Sequence, residues 1–190
     1  MLDRSIAYHV SVHLAIKKRP HDTCHHDPQL SPAQIRANVY GKYTGEGQGA
    51  KKNISPPVEW YGVPEGTKSL ALVIQDIDAP DPNGPIVLWT HWVVVNIPPT
   101  LKIAGLPEGF SGREEEEGGE YAGIKEGNND WKVPGWRGLK LPLPSHGHRF
   151  QFKLYALDDE MHLGNKVTKE KLLDSIGGHV LGEAELVAIF

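Results

Sequence analysis

The sequence is poor in several features that define whole classes of protein. One cysteine, Cys24, among 190 residues excludes an internal disulfide framework and fits a reducing compartment, so we predict a cytoplasmic location. No apolar run reaches the roughly 18 residues that a membrane span needs. The motif Gly-x-Ser-x-Gly is absent, which removes the usual nucleophile of the α/β-hydrolases. The remaining composition, 39% hydrophobic and 23% charged, is that of an ordinary globular chain.

The charge is unevenly distributed along the chain. Residues 1–29 hold four basic and three acidic residues, namely Arg4, Lys17, Lys18 and Arg19 against Asp3, Asp22 and Asp27. Because the whole chain carries a formal charge of −4, residues 30–190 carry −5. Affinity for nucleic acid comes mostly from neutralising phosphates, so a body of this sign is a poor general binder of nucleic acid.

The chain divides near residue 30 into a tail and one domain. Residues 1–29 contain five of the ten histidines and a basic cluster closed by Pro20. We predict that they form a disordered extension, although Leu2, Ile6 and Val10 recur at the spacing of a short amphipathic helix. Residues 30–190 are enough for a single domain that buries most of its apolar surface.

Short apolar runs separated by Gly, Pro and Asn predict a β-rich domain with little helix. The strand candidates are residues 69–75, 89–97, 149–157 and 183–190. Residues 70–74 and 93–95 are apolar on both faces, so their strands should lie centrally. One helix is predicted near the end of the chain, where Thr168 can cap it, Glu170 suits its first turn and Gly177 follows it.

Two carboxylates, Asp76 and Asp78, follow the first of these apolar runs. Residues two apart on an extended backbone face the same side, so the pair should share a small volume. Two carboxylates held close together cannot both ionise cheaply, so we expect the pKa of one of them to rise. A turn is the other interpretation, because Asp before Ala79 and Pro80 is common chemistry for leaving a strand.

Two histidines, His91 and His148, each begin a predicted strand. His91 should share its face with Val93 and Val95, where a histidine is more often a core residue than a functional one. His148 follows Gly147, which allows close approach of backbone or ligand. Imidazoles offer donors to an anion, so both histidines gain functional meaning if they meet the two carboxylates.

Other polar patterns carry less information. The tail segment 21–27 has zinc-binding residue types, but adventitious binding is the better interpretation, and no metal site is predicted. The four glutamates at 114–117 are typical of a solvated loop rather than a cation site. Residues 45–50 match the dinucleotide-binding fingerprint by letter but are followed by residues that cannot open a helix. No cofactor is therefore predicted.

Three motifs occur in a fixed order along the chain: 76–80 (DIDAP), 91–98 (HWVVVNIP) and 147–150 (GHRF). Together with an earlier signature at 55–67 and the segment 127–138, they resemble the phosphatidylethanolamine-binding protein family, which includes the Raf kinase inhibitor proteins. The resemblance runs from about Leu30 to Phe190 and is greatest to the bacterial and archaeal branch. Ile77 and Phe150 replace the family's usual proline and tyrosine.

The resemblance implies a mainly β fold in which a large antiparallel sheet packs on a smaller one, with few short helices. It also implies a small anion pocket at one end, lined by Asp76, Asp78, His91 and His148. A proline on the rim corresponds to Pro142 or Pro144. The sequence reaches Phe190 without the C-terminal helix that partly covers the pocket in animal members, so a more open mouth is implied.

We therefore expect a non-catalytic protein that binds phosphate-like or phosphorylethanolamine groups and has a regulatory or scaffolding role. The histidines would donate to the anion, while the two acids would orient them or meet an ammonium group. The expected partners are a small phosphate-containing ligand or a phospholipid head group, and a signalling protein. Two alternatives are an acid/base hydrolase that uses the same four residues, and an interaction module that uses the loop 105–130 beside a vestigial pocket.

Overall fold

The structure is a computed structural model and describes residues 12–18, 53–80, 87–113, 118–138 and 148–189. In chain order its elements are β1 Val12–Ala15, β2 Lys17–Lys18, β3 Val58–Tyr61, β4 Ser69–Ala79, β5 Val87–Ile97, β6 Gly105–Leu106, β7 Lys125–Gly127, β8 Arg149–Leu157, α1 Lys169–Ser175 and β9 Val180–Ile189. The described part of the chain contains no helix that is long and apolar enough to cross a membrane.

These strands form two sheets of different size. The larger is antiparallel throughout and has the order β2-β9-β8-β4-β5-β7, so β4 lies between β8 and β5. The smaller has the order β1-β3-β6, with β1 parallel and β6 antiparallel to β3.

The apolar core lies on both faces of the larger sheet. Between the two sheets, Leu72 of β4 belongs to one buried cluster with Val58 and Trp60 of the smaller sheet. On the opposite face, Val73 belongs to a second cluster with Leu172 of α1. β4 is therefore covered on both sides, as its continuous apolar run predicts. The expected large antiparallel sheet packed on a smaller one is confirmed.

The predicted elements agree with the observed ones within a few residues. β8 has the predicted bounds, while β4 continues four residues beyond Gln75 and so carries both acids inside the strand. Thr168 caps α1 as expected, because its side chain accepts a hydrogen bond from the backbone N–H of Lys171. The short strands β6 and β7 lie in the connection 105–130, where two or three residues leave no alternating pattern to detect.

Residues 12–18 form strands although they lie in the segment predicted to be a disordered extension. β1 pairs with β3, and β2 pairs with β9. Between them, Ile16 is 8% exposed and donates its backbone N–H to the Tyr61 carbonyl at 3.1 Å. The prediction of disorder does not hold for these residues, because sheet edges supply partners for their backbone. The rest of 1–29 lies outside the described residues, and the domain boundary at residue 30 stays a prediction.

Candidate functional site

Strand pairing brings the predicted acids and histidines to one end of the larger sheet. Asp76 of β4 pairs with Phe150 of β8, so the start of β8 lies beside the end of β4. His148 directly precedes β8. The exposed fractions are 1% for Asp76, 2% for Asp78, 0% for His91 and 4% for His148. Polar side chains this deeply buried need hydrogen-bond partners, so their contacts define the cluster.

Asp76 and His148 form a direct hydrogen-bonded pair. The Asp76 Oδ2 and His148 Nδ1 atoms are 2.6 Å apart, and Asp76 Oδ1 accepts the backbone N–H of Asp78 at 2.8 Å. Burial raises the pKa of Asp76 above its ordinary value, against the hydrogen bonds, which lower it. The expected rise of one acid's pKa is confirmed in direction. Its main cause is desolvation, since the charge of Asp78 is the smallest contribution.

Asp78 pairs with Arg149 rather than with a histidine. The Arg149 guanidinium donates from Nη2 to Oδ1 at 2.7 Å and from Nε to Oδ2 at 2.9 Å. The backbone N–H of Arg149 also donates to Asp78 Oδ2 at 2.8 Å. These hydrogen bonds hold the pKa of Asp78 below its ordinary value and raise the pKa of Arg149. Of the two roles expected for the acids, orienting a histidine or meeting an ammonium group, the first does not apply to Asp78, because Arg149 occupies both of its oxygens.

A β-bulge in β5 turns His91 toward the core between the sheets. Consecutive residues Ile74 and Gln75 of β4 pair with Trp92 and Thr90, which leaves His91 as an extra residue in the ladder. A bulge of this kind re-aims a side chain and is common beside functional sites. The alternation of the sequence gives no sign of it.

The His91 ring is surrounded by other aromatic rings. The distance between ring centroids is 4.6 Å to Phe150, 5.0 Å to Trp131 and 5.9 Å to Trp136. Phe150 and Trp136 belong to the core between the sheets, whereas Val93 belongs to the core on the other face. The prediction that His91 shares the face of Val93 is therefore wrong, because the bulge reverses the alternation.

The two nitrogens of His91 have different environments. Nδ1 makes a hydrogen bond to the backbone carbonyl of Arg137. Nε2 is buried and has no hydrogen-bond partner among the residues that the structure describes. Desolvation lowers the pKa of His91 from 6.5 to about 3, so the imidazole is neutral at physiological pH.

Residues 129–138 form a wall beside His91 that the sequence did not assign to the site. Trp131 contacts both His91 and Trp89, and the ring centroids of Trp131 and Trp89 are 5.4 Å apart. The Arg137 guanidinium lies 5.2 Å from the centroid of the Trp131 ring. Asp130, which is part of this wall, connects it to β5, because the Asp130 Oδ2 accepts the backbone N–H of Thr90 at 2.6 Å. The segment was recognised as a family motif, but nothing in its spacing shows which side chains face His91.

Several predicted residues lie outside the described part of the chain. These are the rim prolines Pro142 and Pro144, together with Gly147, the glutamates at 114–117 and the tail segment 21–27. Among the residues that are described, no group of three His, Cys, Asp or Glu side chains has a metal-binding arrangement.

The fold and the cluster together define a class: a mainly β protein with buried acids and histidines at one end of its larger sheet. The family model described as phosphatidylethanolamine-binding protein matches residues 30–190. A UPF0098 protein from Methanothermobacter thermautotrophicus is 42% identical over 156 residues, which are 82% of this chain and 91% of that protein.

Solved structures agree with this match. The crystal structure of Escherichia coli YbcL, described as a new member of the mammalian PEBP family, covers 93% of this chain and 97% of its own, with a TM-score of 0.61 and 27% identity. CT736 from Chlamydia trachomatis covers 84% and 98%, with a TM-score of 0.59 and 30% identity. The chain belongs to the phosphatidylethanolamine-binding protein family and is of its bacterial and archaeal type.

Proposed function

We propose that this protein binds a phosphate-like anion at His91 and His148, beside Asp76 and Asp78, and that binding regulates a partner. The observation that carries the proposal is the buried Nε2 of His91, which has no partner among the described residues. An unpaired buried nitrogen costs about 1–3 kcal/mol, and a hydrogen bond to a bound ligand would offset that cost. By the family resemblance, Pro142 or Pro144 would belong to the rim of the proposed site.

His148 supports the proposal through its pairing with Asp76. Its Nδ1 is engaged by the carboxylate at 2.6 Å, which fixes the ring orientation and leaves Nε2 as the nitrogen that can face a ligand. A carboxylate–imidazole pair is a common way to orient a histidine toward a bound group. Asp76 thus acts as a positioning residue and not as a contact to the anion.

The charges in the cluster are compatible with an anion in spite of its two acids. Asp78 is balanced by the two-point contact with Arg149. Burial raises the pKa of Asp76, so its negative charge is disfavoured. Arg137 carries a positive charge in the wall beside the cluster, with its guanidinium over the Trp131 ring. This balance favours the phosphate over the ammonium as the part of a phosphorylethanolamine ligand that the cluster recognises.

Calorimetric titration with inorganic phosphate tests the proposal. Replacing His148 with alanine removes a ligand-facing imidazole and should weaken phosphate binding by about tenfold or more, since hydrogen bonds to charged groups contribute about 1.5–3 kcal/mol. The exposed His162 is the matched control, and His162→Ala should bind as the unaltered protein does. Equal phosphate affinity for His148→Ala and His162→Ala would sink the proposal.

A hydrolase is the second candidate, because the Asp76–His148 pair has the geometry of an orienting acid with a general base. A panel of phosphoesters and carboxylic esters, assayed with the unaltered protein and with His148→Ala, separates the two candidates. Turnover that disappears in His148→Ala favours the enzyme, and phosphate binding without turnover favours the binding protein.

The regulated partner and the cytoplasmic location are also part of the proposal. If the loop 105–130 were an interaction surface beside a vestigial pocket, deleting residues 114–119 would abolish capture of a signalling partner without changing phosphate affinity. A deletion variant that captures the same partners as the full chain counts against that alternative.

A further inference from the structure

We infer that the ligand presents a hydrogen-bearing oxygen to His91, so that the protein selects protonated phosphates over fully deprotonated anions such as sulfate. This inference rests on the proposed phosphate site and adds a chemical selectivity to it. It makes His91 an acceptor toward the ligand, whereas the sequence led us to expect a donor.

The assignment follows from the partner of Nδ1. A backbone carbonyl only accepts hydrogen bonds, so the contact with the Arg137 carbonyl requires a hydrogen on Nδ1 of His91. A neutral imidazole has one donor and one acceptor nitrogen. The Nε2 atom therefore presents a lone pair.

The surroundings keep the ring in that neutral form. Three aromatic rings pack around it, and burial strongly disfavours the imidazolium. The charged groups that act on His91 oppose each other, because Asp130 favours its protonation and His148 disfavours it. The lone pair on Nε2 therefore persists at neutral pH, where the pKa of about 3 is far below the solution pH.

The lone pair is also unsatisfied. No described residue donates to Nε2, although the atom is completely buried. A buried acceptor facing an anionic oxygen would gain repulsion instead of a hydrogen bond. Facing a P–OH group, it accepts the hydrogen bond that it lacks, which offsets the cost of leaving a buried group unpaired.

Trp89 supplies an unpaired atom of the opposite kind. Its indole Nε1, a donor only, is buried without a partner in the described structure. Trp89 and His91 both contact the Trp131 ring. A ligand that met both atoms would need one protonated and one ionised oxygen, which a fully deprotonated anion does not offer.

This chemistry sorts the possible anions into two groups. Inorganic phosphate keeps one hydrogen at neutral pH, and a phosphomonoester keeps one below its second pKa of about 6. Sulfate has the same shape and the same double charge as monohydrogen phosphate but carries no hydrogen at neutral pH. Phosphodiesters also lack a P–OH group, so free phosphate at neutral pH, or a monoester below about pH 6, is favoured over an intact phospholipid head group.

The test compares phosphate with sulfate by calorimetric titration of the full chain at pH 7.5 and constant ionic strength. Phosphate should bind at least about tenfold more tightly than sulfate, since one unmade buried hydrogen bond costs about 1–3 kcal/mol. In His91→Gln, whose amide can present either a donor or an acceptor, the ratio should fall toward one. The ratio for the exposed control His162→Gln should be unchanged.

A nitrogen-15 NMR spectrum of the unaltered protein gives an answer that does not depend on any variant. His91 should show the form with the hydrogen on Nδ1. Sulfate binding as tight as phosphate, or a hydrogen on Nε2 of His91, would overturn the inference while leaving the anion site intact. Binding of neither anion would overturn the proposed function and this selectivity together.

Discussion

Asp78 and Arg149 form an ion pair that is buried on one side only: the carboxylate side chain is 3% exposed and the guanidinium side chain 55%. The acid is held inside the fold by a residue that reaches in from solvent. Asp76, two residues earlier on the same strand, has no such cation and meets a histidine instead. Neighbouring acids therefore have opposite pKa shifts and should respond differently to substitution.

Replacing Arg149 with methionine should lower the free energy of unfolding by about 2 kcal/mol, measured by urea denaturation at pH 7. The change leaves Asp78 as a buried carboxylate whose cation partner is gone, and breaking a fully buried pair costs about 3–5 kcal/mol. The exposed guanidinium reduces that figure through solvent screening.

Lys153 offers the matched control for this change. It lies on the same face of β8, and its contact with Glu185 is 3.8 Å long between side chains that are 35% and 51% exposed. Lys153→Met should change the free energy of unfolding by less than about 0.5 kcal/mol. Equal losses in the two variants would contradict the structural role of the Asp78–Arg149 pair.

Neutralising the two acids should have unequal effects on stability at pH 7. Asp76→Asn should leave the free energy of unfolding unchanged or raise it by up to about 1 kcal/mol. It removes a buried charge, while the amide oxygen can still accept the Asp78 N–H and the amide NH2 can donate to His148 Nδ1 when His148 carries its hydrogen on Nε2. Asp78→Asn should lower the free energy by about 1–2 kcal/mol, because it weakens charge-assisted hydrogen bonds from Arg149.

The opposite pKa shifts of Asp76 and Asp78 give the two acids opposite effects on stability as the pH changes. The lowered pKa of Asp78 contributes stability above pH 3.8 that is lost as the pH falls through the folded-state pKa. The raised pKa of Asp76 acts in reverse, since its burial penalty appears as the pH rises above 3.8. Denaturation curves at pH 3 and pH 7 should thus show a smaller acid loss for Asp78→Asn than for Asp76→Asn.

His91 should make the protein sensitive to mild acid. The unfolded chain takes up this proton near pH 6.5, whereas the folded protein takes it up only near pH 3. Stability is therefore lost as the pH falls between these values, by on the order of 5 kcal/mol in total. His91→Phe keeps an aromatic ring among Trp131, Trp136 and Phe150, so it should fold but lose less stability over this interval.

Thermal denaturation between pH 7 and pH 4 measures the effect of His91→Phe. The same variant should bind phosphate at least about tenfold more weakly, since it removes the proposed acceptor. His162→Gln, at an exposed position, should follow the acid profile of the unaltered protein. Parallel profiles for His91→Phe and the unaltered protein would show that His91 is not held neutral by burial.

Ile16 tests whether the segment 12–18 belongs to the folded unit. The residue is 8% exposed and belongs to the core cluster between the sheets. Ile16→Ala should lower the free energy of unfolding by about 2–3 kcal/mol, in the range of buried isoleucine truncations. Ile103, which is 63% exposed, provides the control, and Ile103→Ala should have little effect. An Ile16→Ala variant as stable as Ile103→Ala would place the segment outside the fold.

The central strands were predictable because their sequence carries its own evidence. The runs 70–74 and 93–95 are apolar on both faces, and only a covered central position suits such strands. The contact between Asp76 and His148 could also be predicted, since each residue lies at the end of a predicted strand. The short strands β1 and β2 were not, because their pairing depends on edges supplied by β3 and β9, far away in sequence.

The details of the cluster depended on geometry that no local pattern encodes. Arg149 fits the wet face of an alternating strand equally well, and only the register with β4 shows that it reaches Asp78. A single extra residue in β5 decides which core His91 faces. Its donor and acceptor nitrogens are set by one carbonyl, that of Arg137, forty-six residues further along the chain.

The position of the acids on β4 also determines how this protein could be regulated. At Asp76, β4 is paired with β5 on one side and with β8 on the other, so this carboxylate cannot shift without distorting the sheet. Local opening of such a strand approaches the free energy of global unfolding. Among the described residues, the wall that carries Trp131 and Arg137 is then where a partner could alter the affinity of the proposed site. The β4 side of the proposed site is therefore held in place by the sheet, and any structural adjustment would occur on the side formed by the wall.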